Sequence, residues 1–397
     1  RSNFSITGDE RNFARSLIEI AGVDAVHGHS SHHIKGIEVF RDRPILYGCG
    51  DFLNDYEGIA GHEEFRKACE AARIPATFSM EAVAMDREAE VRGELTNDPG
   101  NPGRTYLCAK GVTRVPPDHS PAMKNLSKIR AELEQRNREM TDKVRKLFRE
   151  RMNVEGPAWD DVLGLTPRGN ATERHISKAI LIRLRELAEP RGARAVAYLC
   201  GGDPPADDDA TLQNFIRAVL LKAGGPCFVQ ESPDAFLSIE DMRDLFLAFG
   251  AIPTYPVLAN PITDRERDIA VLTDRLEAMN IFALEVIPHR NTKERLAEVI
   301  DTAKERHWPV FNGTEHNTPE PRPMLAPLSL DPDFLPWFER SAAVLLGHHA
   351  LVAKGEPGFV NNDGTPTIPD ALERFERFGR AGMAVWKEIE RGTEGDE

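Results

Sequence analysis

Short apolar, β-rich runs alternate through the second half of the chain with polar stretches that carry their own helix-start signals. Residues 254–259 (TYPVLA), 282–288 (FALEVIP) and 309–313 (PVFNG) predict strands. Between them, Thr263 with Glu266 and Asn291 with Glu294 have the spacing of capping boxes, which predicts a helix through residue 280 and another after 291. Upstream, 193–200 (ARAVAYLC) and 226–230 (PCFVQ) read as strands and 210–223 as a helix. Ser238 with Asp241 opens a further helix that ends at Gly250. Four such units in series imply a parallel sheet, and their number favours an α/β barrel over a short open sheet.

The first half has a different texture. Residues 126–152 form one long, charged amphipathic helix, and Asn170 with Glu173 opens a helix to residue 187 that carries His175 in its first turns. Residues 10–20 predict a helix, 23–27 a strand and 37–47 a hairpin turning at 41–43. An acidic, glycine-rich stretch (47–61), a helix (62–72) and a short strand (76–80) follow. A boundary near Gly61 divides the chain into residues 1–60 and 61–397.

Composition narrows the function classes. No apolar run approaches the roughly 18 residues of a membrane span, so no membrane partner is expected. A net charge of -14 argues against a phosphate-backbone binder, and nucleic acid is not expected as a partner either. The five cysteines are scattered and never form a CxxC pair, so they read as reduced thiols of a cytoplasmic protein. The chain opens on Arg1 without a signal peptide, which predicts a truncated or processed start. The oligomeric state stays open.

Candidate chemistry gathers in two places. His27, His29, His32 and His33 follow an apolar strand within seven residues, and neutral imidazoles so close together suit a divalent metal better than a solvated loop. The second place is the rim where barrel strands end, which receives Asn260, then His289, Arg290 and Asn291, then Glu315, His316 and Asn317. Asn291 doubles as a helix cap, and for Glu315 and His316 a site and a plain loop are equal readings. Glu81 follows the 76–80 strand as a lone carboxylate directed to the same rim. Arg174 is a candidate phosphate contact at a helix start, whereas His175 reads more as packing.

Residues 22–57 (GVDAVHGHSSHHIKGIEVFRDRPILYGCGDFLNDYE) resemble the end of the CapA-type poly-γ-glutamate capsule-synthesis family, which has a metallophosphatase-like fold. That resemblance implies metal-site roles for His29 and His32, with Asp51 standing where the family has Asn. From Gly61 onward the chain resembles the PHP (polymerase and histidinol phosphatase) superfamily, a distorted α/β barrel of metal-dependent phosphoesterases. The matching motifs are GHEEFRKACEAARIPATFSMEA, RHISKA and GTEHN. They imply that Glu81 and Glu315 are metal ligands and that Arg174 and His175 sit on a motif helix. The chain departs from the superfamily at Lys110, Asn260 and Asn317, each where a histidine is usual; the opening HxH and DH motifs should precede Gly61, where His27 and His29 are the candidate stand-in for the HxH alone.

These readings converge on an α/β protein, a PHP-like barrel behind a short metallophosphatase-like segment. The expected function is hydrolysis of a phosphorylated or otherwise anionic small molecule with divalent manganese, zinc or iron held by His27, His29, His32, Glu81 and Glu315. Arg174, His175, His289, Arg290, His316 and Asn317 would contact substrate. Two alternatives stand beside it: a non-catalytic ligand- or partner-binding barrel, and a role in capsule or poly-γ-glutamate synthesis.

Overall fold

The computed structural model describes residues 77–166, 170–187, 193–259, 261–313 and 326–394, together with Arg15 and the short stretches 26–27, 37–40 and 43–46. Near the start, β1 (Val26–His27), β2 (Ile37–Phe40) and β3 (Arg43–Leu46) form a three-stranded sheet in the order β1-β3-β2. Strands β2 and β3 pair antiparallel, as the expected hairpin requires, and β1 runs parallel to β3. The boundary expected at Gly61 lies outside the described residues.

The described residues after these strands divide into two compact units, one of which is the segment 126–236 inserted into the other. The sheet unit is built on β4 (Phe78–Met85), β5 (Arg104–Val112), β6 (Ile252–Val257), β7 (Leu284–Val286) and β8 (Val310–Asn312), hydrogen-bonded in that order. The α/β class and the parallel β6-β7-β8 set agree with expectation. The sheet as a whole differs, because β4-β5 and β5-β6 are antiparallel. Strands β4 and β8 are its edges, and no closure into a barrel is seen among the described residues.

One face of this sheet is apolar: Leu107, Tyr255, Val257, Leu284, Val286 and Val310 are all buried. Helices Ile239–Ala248 and Leu335–Ala353 pack on the sheet unit's strands. The second of these is fixed through Ser341, whose hydroxyl accepts from the Val310 N–H at 2.9 Å. Gly111 forms a bulge in β5 at φ 70, where a Cβ would come within 2.6 Å of the Leu345 side chain, so only glycine fits the register there.

The inserted unit is helical. Pro121 opens the helix Pro121–Met152 behind Ser120, whose hydroxyl accepts from the Met123 N–H at 3.2 Å. Its face Met140, Val144, Leu147 and Phe148 packs with Ile176, Ile180 and Leu184 of helix Glu173–Leu187. Two expected strands of this unit are not strands. Ala193–Cys200 is a helix, because burial of Ala195, Val196, Leu199 and Cys200 follows a 3.6-residue period that short alanine-rich runs can mimic as β. Residues 226–230 form irregular chain whose carbonyls are met by side chains: Lys143 Nζ donates to Phe228 O at 2.5 Å and Arg136 Nε to Val229 O at 3.0 Å.

Two capping boxes in the sheet unit also move. The helix expected from Thr263 begins at Ile269, with Asp268 accepting from the Val271 N–H at 3.0 Å. Thr263 instead donates to the Thr96 carbonyl, and Glu266 is drawn into the interior. The cap expected at Asn291 is made one residue later, where Thr292 Oγ1 accepts from the Arg295 N–H at 3.2 Å and opens Lys293–Arg306.

Candidate active site

The polar face of the five-stranded sheet follows from strand parity. Glu81 on β4 pairs with Cys108 on β5, and Lys110 lies two residues further along β5, so all three share a face. Across β6, Glu285 falls on that face too, since its β7 neighbours Leu284 and Val286 are buried on the other side. Lys110 Nζ donates to Glu285 Oε1 at 2.7 Å, and Cys108 Sγ donates to Glu285 Oε2 at 3.1 Å. The Lys110 and Glu285 side chains are only 16% and 13% exposed. Gly313, next after β8, makes room for them, because a Cβ there would stand 2.8 Å from Glu285 Oε1.

The electrostatics of the group are self-consistent. Burial alone would lower the Lys110 ammonium, but the Glu285 carboxylate more than offsets it and holds the lysine above its ordinary range. Burial, reinforced by the charge of Glu285, pushes the Cys108 thiol well up, which keeps it a protonated donor. Glu81 is more exposed and acts on both neighbours through its charge.

Past the end of β6 a second enclosed carboxylate shapes the chain. Glu266 is fully buried and accepts from the Leu258 and Ala259 N–H groups at 2.9 and 3.0 Å. Burial pushes it up to about 7, against the opposing pull of those two N–H groups and of Arg295. It thereby fixes the left-handed Ala259 (φ 49), immediately before Asn260.

Of the residues expected at the site, Glu81 lies in the middle of β4 rather than beyond a short strand, because the strand runs on to Met85. His289 and Arg290 occupy a 3-10 turn directly after β7, at the end of the parallel strands. Asn291 donates to Ile287 O at 3.0 Å, and its buried Oδ1 has no partner among the described residues. Arg174 and His175 belong to the helical unit. His175 is buried, and its Nδ1 accepts from the Thr172 N–H at 3.1 Å. His27 lies on β1, and nothing further of its side chain is described; Asn260, His29, His32, Glu315, His316 and Asn317 lie outside the described residues. Sequence reasoning missed Glu285 and Cys108. The signal available was a single carboxylate inside the otherwise apolar run FALEVIP.

The described donors do not fit a divalent metal ion. Both oxygens of Glu285 are engaged by Lys110 and Cys108, and among the described residues no three histidine, cysteine, aspartate or glutamate side chains converge. No helix of the described residues is long and apolar enough to cross a membrane.

Comparison with known proteins assigns the beginning of the chain. Residues 2–56 match the family Bacterial capsule synthesis protein PGA_cap. The resemblance read in the histidine-rich segment is thus met. A probable polyglutamine synthesis accessory protein of Mycobacterium tuberculosis is 67% identical over 54 residues, which are 14% of this chain and 14% of that protein. An uncharacterized protein of Sinorhizobium fredii is 48% identical over 46 residues, 12% of this chain and 10% of the other. The chain therefore spans only about a seventh of the length of these Mycobacterium tuberculosis relatives. Two solved structures are similar over more of the chain. One, from Bifidobacterium adolescentis and named as a metal-dependent phosphoesterase, covers 79% of this chain and 84% of its own at 14% identity and a TM-score of 0.42. The other, an amidohydrolase from Chromobacterium violaceum, covers 77% of this chain and 93% of its own at 13% identity and a TM-score of 0.43.

Proposed function

We propose that the chain is a hydrolase of a phosphorylated or otherwise anionic small molecule. Its site would lie on the polar face of the sheet and the adjoining ends of β6, β7 and β8, on the PHP-like barrel that the motifs suggest. The observation that carries this reading is the enclosed group of Lys110, Glu285 and Cys108. Enclosing an ion pair gives a fold little net stability, so such a group in the interior of a sheet points to a site. Ligands of α/β sheets also bind beyond the carboxyl ends of parallel strands, where His289 and Arg290 stand. Arg290 would supply positive charge that meets an anion, and Glu81 a carboxylate able to accept a proton.

The metal part of the proposal rests on His27, His29 and His32 with Glu81 and Glu315. It is supported by the imidazole-rich spacing of the first three, and no catalytic step is derived through it. The test is hydrolysis of p-nitrophenyl phosphate by the full chain, with and without added manganese. Glu81→Gln is expected to reduce turnover by about tenfold or more, and His29→Ala with His32→Ala to lower the metal bound per chain. A folded protein with no turnover in either condition overturns the reading.

A second reading, an accessory role in poly-γ-glutamate synthesis, is favoured by the PGA_cap match at residues 2–56 alone. It predicts that the histidine variants, and not Glu81→Gln, abolish function in a polymer-synthesis assay.

A further inference from the structure

The helix Ala371–Glu394 is held tightly on one side. Arg374 is fully buried, with its guanidinium 5.1 Å from the Phe282 ring centre and 5.0 Å from that of Phe359, and Phe375 stacks on Trp337 at 4.8 Å. Gly382 lets the helix close on Leu335–Ala353, since a Cβ there would run into the Ala343 carbonyl. The other side is open. Leu372, Met383 and Trp386 are 48%, 44% and 43% exposed, and a Cβ built on Gly379 would meet nothing within 4 Å. Beside them Arg340, Ala343, Phe375, Gly379, Met383 and Ala384 line a groove of about 370 Å³ between the two helices.

Two features of this side say what would cover it. The first is spacing. Leu372, Phe375, Gly379, Met383 and Trp386 follow one helical stripe that is the same in both directions from Gly379: Phe375 and Met383 stand four residues away, Leu372 and Trp386 seven. A stripe with that symmetry complements its own antiparallel copy, as a two-fold contact requires. The second feature is charge. Glu373 near the beginning of the helix and Lys387 near its end lie on the same flank of the stripe, and neither makes an ion pair among the described residues. In an antiparallel pair the glutamate of each copy faces the lysine of the other.

We infer that this side of helix Ala371–Glu394 is a homodimer interface, which seats the same helix of a second copy antiparallel about a two-fold axis at Gly379. Leu372 of one copy meets Trp386 of the second copy, Phe375 meets Met383, and the glycine at the crossing lets the two backbones approach. One helix pair covers less than the ~1,200 Å² of a standard interface, so the association is expected in the micromolar range. It uses none of the residues of the proposed site and does not rest on the proposed reaction.

Sedimentation velocity of the full chain from about 1 to 200 μM is expected to show a monomer–dimer equilibrium. Met383→Glu, at an exposed position, should weaken it about tenfold or more while leaving the far-ultraviolet circular dichroism unchanged. Glu373→Lys should weaken it severalfold, and adding Lys387→Glu should restore it, which separates antiparallel pairing from any other use of the face. Gly379→Cys should give a disulfide-linked dimer when diamide oxidises the two facing thiols, to a greater extent than in wild-type protein. If Met383→Glu does not fold, the charge pair and the cysteine decide. A chain that stays monomeric at about 200 μM overturns the inference. So does a dimer that folded Met383→Glu or Glu373→Lys leaves intact, or a double charge reversal no tighter than Glu373→Lys alone.

Discussion

Glu173 in the helical unit and Glu266 in the sheet unit are both enclosed carboxylates, yet they titrate in opposite directions. Burial pushes each one up. Around Glu173 this is more than offset by Lys222 at 2.7 Å and Arg136 at 3.0 Å, and the group is held below its ordinary range. Among the described residues Glu266 meets two backbone N–H donors and the more distant charge of Arg295, and burial wins. The helical unit thus keeps its carboxylate among cations beside an apolar core of Val144, Phe148, Ile176, Ile180 and Leu184. The sheet unit keeps Lys110, Glu285, Glu266, Arg265 and His348 in or near its interior. Charge inside a fold adds little to its stability, so the unit that tolerates it is the one to search for chemistry.

The strongest way to break this contrast is to unpair Glu285. Lys110→Met is expected to lower stability by about 3–5 kcal/mol, because a carboxylate is left enclosed without its cation. Adding Glu285→Leu should restore most of the loss. Urea denaturation of both variants measures it, and a single variant as stable as wild type would mean that the pair is solvated.

A pH series sharpens it next. The folded-state value of Glu266 lies above its unfolded one, so its contribution is full below about pH 4.5 and is lost as pH rises to about 7, on the order of 3 kcal/mol. His348 runs the other way. It is neutral in the fold, with Nδ1 accepting from the Phe359 N–H at 3.0 Å and Nε2 donating to Gly250 O at 2.8 Å. Burial lowers it to about 4, so its contribution is present above pH 6.5 and fades toward pH 4. The two oppose each other between pH 4.5 and 6.5. Glu266→Gln should therefore turn a flat stability profile there into one that rises with pH. Glu173→Gln should instead lower stability at neutral pH and not in acid, since a depressed carboxylate contributes above its unfolded value. Equal profiles for the two variants would erase the distinction between the units.

The smallest effects concern helix starts. Asp208→Ala in the helical unit and Thr292→Ala in the sheet unit should each cost about 1 kcal/mol, and Thr292→Ala more than Asn291→Ala. The reverse order would return the cap to Asn291.

Much of this was legible in the sequence where the signal is local. Strands β6, β7 and β8 stand within a few residues of their apolar runs, and Ser238 caps its helix as its spacing to Asp241 predicts. What was not legible depends on distant partners. Thr263 and Glu266 have capping spacing, but the Thr96 carbonyl and the Leu258 and Ala259 N–H groups recruit them first. The run 193–200 has strand composition, and only its burial period shows a helix. Glu285 could be noticed as an odd carboxylate, whereas its partners lie on β5 and become visible only with the sheet register.

Strands β5 and β6 are neighbours in the sheet although the whole helical unit lies between them in the chain. During synthesis β5 is made first and can pair with β4, while its other edge waits for roughly 140 more residues. At about 5–20 residues per second that wait lasts on the order of 10–30 s. The inserted helices, whose contacts are local, have time to fold within it. The nascent chain therefore carries a two-stranded ribbon whose β5 edge is still unpaired while the inserted helices fold, and this interval is when association between neighbouring chains competes with folding.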